Sequence, residues 1–198
     1  MVKRIGLAVM RMQPLHYGHS RIIERMHETC DVVIIGLGSC QKSREINNPF
    51  SPDERREFIK EIYGDSVKIV QLNDLGTTTN TDEWCDYVLN KIQKIGLGSP
   101  TDYFAGSKAD AIWYRNRFFN TEIGSMVRQS KEDFINNFVT DNGIRLLHIE
   151  DRHQNEIVSA TEIRTFLQSN DSTWKKYVDP RIHGLVENYY QNFIDGQR

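Results

Sequence analysis

The chain has 198 residues, 38% of them hydrophobic and 10% aromatic, with a formal charge of −2. That length suits one domain with a real core. The near-neutral charge excludes recruitment of nucleic acid by a global basic field, and no apolar run is long enough to span a bilayer. Cys30, Cys40 and Cys85 are widely spaced, without CxxC or metal-type spacing. Free thiols in a reducing compartment fit that pattern, and with no secretory signal a cytoplasmic protein is expected.

In chain order, Lys3 to Met10 reads as a buried strand and Gly18 to Thr29 as a helix with Ile22, Ile23 and Met26 on one face. Asp31 to Gly38 is a second buried strand, rich in β-branched residues. Strand, helix and strand with short joints make a right-handed βαβ unit. The polar loop Ser39 to Phe50 ends at Ser51-Pro52-Asp53-Glu54, a capping box with proline at the first helical position. That helix runs to about Tyr63, burying Phe58, Ile59 and Ile62. Val67 to Leu72 is a third strand, Gly76 to Thr81 a loop, and a helix then carries Trp84, Val88, Leu89 and Ile92.

Tyr103 to Ala105 is a short strand ending at Gly106-Ser107-Lys108, followed by a helix from Ala109 to about Arg117. Glu122 to Val127 is expected as an edge strand, Lys131 to Phe138 as a helix and Arg145 to Ile149 as a strand. Ser159-Ala160-Thr161-Glu162 is a second capping box, opening a helix to about Leu167. Asp179-Pro180 starts a last helix. The alternation predicts an α/β fold: a Rossmann-like, doubly wound parallel sheet with C-terminal helices. Residues 1–155 would form the α/β core and residues 156–198 the helical C-terminal part of one domain.

Two motifs carry chemistry. His16-x-Gly18-His19 sits where the first strand turns into the first helix. Free N–H groups and the positive dipole end there favour an anion, most naturally phosphate. Two imidazoles a turn apart can donate to its oxygens, and Gly18 permits close backbone approach. No third ligand is spaced with them for zinc, so no metal-ligating set is expected. The second motif is Val158-Ser159-Ala-Thr161-Glu-Ile-Arg164. It places another helix N-terminus and a guanidinium fork, suited to phosphate, one turn apart. Together the motifs form two jaws of a triphosphate clamp.

HxGH near the N-terminus with a late Ser-x-Thr-x-x-Arg resembles the nucleotidyltransferase superfamily. Arg11-Met-Gln-Pro-Leu-His-Tyr-Gly-His19, Gly38-Ser-Cys-Gln-Lys-Ser43 and Asn48-Pro-Phe-Ser-Pro-Asp-Glu-Arg55 are similar to motifs of archaeal-type nicotinamide mononucleotide (NMN) adenylyltransferases. Asn80 and Trp84 fit that family's Asn and Trp before the third helix, and Gly106 its Ser-Gly-Asn. Lys108 and Asp110 resemble the variant of the domain found fused to a Nudix hydrolase.

The resemblance implies transfer of AMP from ATP to nicotinamide or nicotinate mononucleotide, giving the dinucleotide and pyrophosphate with no covalent enzyme intermediate. It implies catalytic roles for His16, His19 and Arg164. Arg11, Met12, Gln13, Gly18, Gly106, Lys108, Ser159 and Thr161 would surround ATP and its phosphates. Ser39, Lys42, Arg44, Asn48, Phe50, Asn80 and Trp84 would hold the nicotinamide nucleotide, with Trp84 stacking on the ring. Mg²⁺ is expected with ATP, held by phosphates and water. A homo-oligomer is implied, with no nucleic-acid or membrane partner. The chain departs from the family at Met10, where a glycine is usual, at Asn47, where a basic residue is common, and at Ser107, where an asparagine stands. The rival readings are a pantetheine-phosphate adenylyltransferase, a cytidylyltransferase, and a nucleotide sensor without turnover.

Overall fold

The structure, a computed structural model, describes residues 3–76, 81–106, 110–111, 113–114, 117, 126–128, 135–139, 143–149 and 159–197. Strand β1 (Ile5–Met10), helix α1 (Tyr17–Thr29), strand β2 (Val32–Leu37), helix α2 (Pro52–Tyr63), strand β3 (Val67–Gln71), helix α3 (Thr81–Lys94) and strand β4 (Asp102–Ala105) alternate as expected. Residues Asp110, Ala111, Trp113, Tyr114 and Arg117 are helical. Strands β5 (Met126–Arg128), β6 (Ile135–Val139) and β7 (Arg145–Ile149) follow, then helices α4 (Ala160–Gln168) and α5 (His183–Asp195).

The strand order is β3-β2-β1-β4-β7-β6-β5. The run from β3 to β7 is parallel, with Leu7 opposite Ile34 on one side and Tyr103 on the other. The chain winds outward from β1 through β2 to β3, then crosses back to place β4 on the other side of β1. Parallel sheets bind ligands at the carboxyl ends of the strands where this reversal opens a crevice. At the opposite end, buried Asp102 takes hydrogen bonds from Arg4 and Arg145 and so joins β4 to its two neighbours.

One expectation is corrected. Residues 135–138, expected within a helix, belong to strand β6, antiparallel to both β7 and β5. Ile135, Phe138 and Val139 have helical spacing, but five residues cannot separate a helix stripe from a strand. The open edge of β7 decides it by offering unpaired N–H and C=O groups. The sheet is therefore mixed beyond β7. The edge strand itself lies at Met126–Arg128, and Glu122 falls outside the described residues. The last helix also differs at its start: Asp179 caps a 3-10 turn, Pro180–Ile182, before α5 begins.

Apolar faces of the helices cover both sides of the sheet. On one side Ile22, Ile23 and Met26 of α1, Phe58 and Ile59 of α2, Ile163 and Leu167 of α4 and Val186 and Phe193 of α5 share one core cluster. Val88 and Ile92 of α3 pack with Leu7, Ile34 and Tyr103 on the other. Among the described residues no helix is long and apolar enough to cross a membrane.

Candidate active site

A cleft of about 450 Å³ opens at the carboxyl end of the sheet. The ends of β1 and β2 contribute Met10 to Gln13 and Gly38 and Ser39. The loop after β3 adds Asn73 and Asp74, α3 adds Trp84, β4 leads in Gly106, and the start of α4 adds Ser159 to Thr161 and Arg164. His16 and His19 line it from the start of α1.

The two histidines cap their own helix. His16 is the N-cap in extended backbone, and its Nδ1 accepts from the Gly18 N–H at 3.1 Å. The His19 Nδ1 accepts from the His16 N–H at 3.3 Å, closing a capping box built of imidazoles. Both Nδ1 atoms are acceptors, so the proton of each neutral ring sits on Nε2. The rings lie 3.9 Å apart between centroids. His16 is buried and His19 half-buried.

The opposite jaw is α4. Ser159 caps it, accepting from the Glu162 N–H at 3.3 Å, while its own N–H and hydroxyl donate to the Glu162 carboxylate at 2.8 Å. Arg164 is 6% exposed and donates to Thr161 Oγ1 at 3.1 Å and to the Gln13 carbonyl at 3.0 Å. Burial lowers its pKa first, and repulsion from Arg11 lowers it further. Two guanidinium groups held close enough to repel give the cleft a field that favours anions.

Residues 7–166 match the cytidylyltransferase-like family. The chain belongs to that family. A nicotinamide-nucleotide adenylyltransferase of Thermococcus onnurineus is 31% identical over 184 residues, spanning 92% of this chain and 81% of that one. The enzyme of the same name from Thermococcus sibiricus is 29% identical over 183 residues, 89% of this chain and 80% of its own. In fold, the chain is similar to a bifunctional NMN adenylyltransferase/ADP ribose pyrophosphatase from Francisella tularensis, with a TM-score of 0.68 at 22% identity. That likeness covers 98% of this chain, which spans only 50% of the bifunctional one.

In this cytidylyltransferase-like chain the clamp residues His16, His19, Arg164, Ser159 and Thr161 line one cleft, together with Arg11, Met12, Gly106, Ser39 and Trp84. Trp84 is half-buried, its ring 5.1 Å from that of Trp113. Met10 is 8% exposed, and its side chain belongs to the core cluster although the residue borders the cleft.

Other expected residues stand elsewhere. Phe50 is wholly buried in the core, its ring edge-on to Phe58 at 5.3 Å, so it supports the loop rather than facing a ligand. Gln13 borders the cleft, but its carboxamide donates to the Phe50 carbonyl at 2.9 Å and accepts the Phe50 N–H at 3.0 Å. The Gly18 N–H is taken by His16. Arg44 turns away to Glu54 at 2.5 Å and to the Pro49 carbonyl at 3.3 Å. Asn48 is buried, donating to Glu45. Lys42 pairs with Asp74 at 2.8 Å, at the cleft's rim. Asn80 and Lys108 lie outside the described residues.

Two residues were missed. Asp74 gathers the rim: Ser39 Oγ donates to it at 2.7 Å, and its N–H donates to Gln41 at 3.0 Å. Its carboxyl titrates below the ordinary range because hydrogen bonds from Lys42, Ser39 and Gln41 together outweigh the upward push of burial, the largest single effect. Arg55, wholly buried on α2, donates to the carbonyls of Arg11 at 2.7 Å and Gly38 at 2.8 Å. A signal for it existed: Arg55 falls on the same stripe as Phe58, Ile59 and Ile62, at spacings of a helix face turned to the core.

Proposed function

We propose that this chain is a nucleotidyltransferase that moves AMP from ATP to NMN, releasing pyrophosphate and forming NAD. The observation that carries it is the convergence of His16, His19, Thr161 and Arg164 on one cleft that also holds Trp84. The names of the relatives at about 30% identity over most of both chains support the same reaction. In the reaction an oxygen of the NMN phosphate attacks the α-phosphorus of ATP. A new P–O bond forms, and the bond to the β-phosphate oxygen breaks, leaving its electron pair on pyrophosphate. The Nε2–H groups of His16 and His19 donate to phosphate oxygens where charge accumulates. Arg164 and Thr161 hold the phosphates that leave, and Trp84 offers a flat apolar face to the pyridinium.

Among the described residues no group of three His, Cys, Asp or Glu side chains is placed to hold a metal ion. The divalent cation we propose is Mg²⁺, entering as part of the substrate on the ATP phosphates. A bifunctional structural neighbour is described with AMP and a manganese ion.

The test is turnover. The purified chain with Mg²⁺ and ATP should release pyrophosphate and form NAD with NMN, and His19→Ala should cut the rate by about 100-fold or more while the protein stays folded. Turnover only with nicotinate mononucleotide reassigns the second substrate. Tight ATP binding with no turnover on either overturns the reading. We further propose that the chain assembles as a homo-oligomer, which light scattering tests.

A further inference from the structure

We infer that Arg55 is a positioning residue: it turns two peptide groups so that the backbone N–H groups of Met12 and Ser39 point into the cleft as paired donors to a phosphate oxygen. This rests on the cleft being the nucleotide site proposed above.

Arg55 is wholly buried, and no described carboxylate lies within ion-pairing distance of it. Burial lowers its pKa, yet a guanidinium stays protonated in a protein, so its charge must be met by dipoles. The dipoles are backbone carbonyls. Its two short bonds reach Arg11 and Gly38, the residues just beyond the ends of the adjacent parallel strands β1 and β2.

In a planar trans peptide the C=O and the following N–H point in opposite directions. With the Arg11 and Gly38 carbonyls turned onto Arg55, the N–H groups of Met12 and Ser39 face away from it. Both residues adopt the left-handed region, with φ of 53° and 54°, although neither is glycine. That conformation is disfavoured for side chains of these types and persists only where surroundings impose it. The same unusual backbone follows each of the two carbonyls held by the short bonds, and not the Ser39 and Ser51 carbonyls, which Arg55 reaches only at 3.4 Å.

Met12 is 0% and Ser39 5% exposed, both border the cleft, and neither N–H has a protein acceptor among the described residues. Buried backbone donors are seldom left unpaired. Two such donors, just beyond the paired ends of β1 and β2 and bordering a cleft that also holds Arg11 and Arg164, suit the oxygen of a phosphate.

The test is a titration of the full chain with sodium pyrophosphate, followed by ¹H–¹⁵N correlation spectra. The Met12 and Ser39 amide signals should move with saturation, and their silence overturns the inference. Both short bonds leave the one Nη1 atom, and a lysine Nζ ends about one bond short of it, so Arg55→Lys keeps the buried charge but withdraws the donor from both carbonyls. It should lower kcat about tenfold or more, with KM for both nucleotides within about threefold, and abolish the two amide responses. Wild-type kcat with both responses intact overturns the inference. Should Arg55→Lys lose its dispersed spectrum, the wild-type titration decides alone. Amide responses without NAD formation leave the positioning role standing and reject the reaction, whereas NAD formation with silent amides does the reverse.

Discussion

The Arg164 guanidinium donates to the backbone carbonyl of Gln13 at 3.0 Å, joining residues 151 positions apart. Gln13 in turn clasps the backbone of Phe50 in both directions. One chain of contacts thus ties α4, the loop after β1 and the loop before α2 around the cleft.

Arg164 is therefore both a phosphate ligand in the proposed reaction and a brace. Arg164→Ala should lower kcat/KM at least 100-fold and, by leaving the Gln13 carbonyl unpaired, reduce stability by about 1–3 kcal/mol. Arg164→Lys should recover part of the activity but not the planar fork's share. Pyrophosphate release and urea denaturation read the two effects separately.

The imidazole cap separates folding from chemistry at His16. Asparagine is a good N-cap, so His16→Asn should stay within about 0.5 kcal/mol of the parent, whereas His16→Ala should lose about 1 kcal/mol. Both lack the Nε2–H donor, and both should fall about 100-fold in kcat. Equal activity of the asparagine variant and the parent would reduce His16 to a cap.

Asp74 sets an acid limit on the rim of the cleft. Its pKa is depressed in the folded chain, so its contribution is present above the unfolded value of 3.8 and is lost as pH falls through the lower, folded value. Asp74→Asn should flatten the decline of stability below about pH 4, and Lys42 should lose its order at neutral pH. Thermal unfolding from pH 6 downward checks the first, and the salt dependence of the Lys42 side-chain signal the second.

Cys85 should be chemically quiet. Burial pushes its thiol up to about 12, and the thiolate is the reactive form. Burial also raises Cys30 and Cys40, the latter against a lowering by the Leu72 backbone. Iodoacetamide at pH 8 should leave Cys85 unmodified in the folded chain and label it in urea, as mass spectrometry of peptides would show.

Much of the candidate cleft's lining was legible because its signals are short in range. The two jaws are capping motifs, decided by residues three positions apart: His16 with His19 and Ser159 with Glu162. The family resemblance, carried by contiguous motifs, brought in Arg11, Ser39 and Trp84, all of which border the cleft. The same motifs also contain Phe50, Arg44 and Asn48, which do not line the cleft. A motif records which residues occur together, not which of them face a ligand and which hold the loop.

The amino-acid sequence by itself determined the alternation of buried strands and amphipathic helices, the capping boxes and the placing of two histidines at a helix start. Periodicity and capping are settled within a turn or two of the chain. Only the tertiary structure decided that residues 135–139 pair as a strand, that Gln13 serves Phe50, and that a buried arginine on α2 grips the ends of β1 and β2. Each depends on backbone groups made available by distant parts of the chain: the open edge of β7, the Phe50 peptide 37 positions on and the Arg11 carbonyl 44 positions back. Hydrogen-bonding groups of that kind exist only once the sheet has formed.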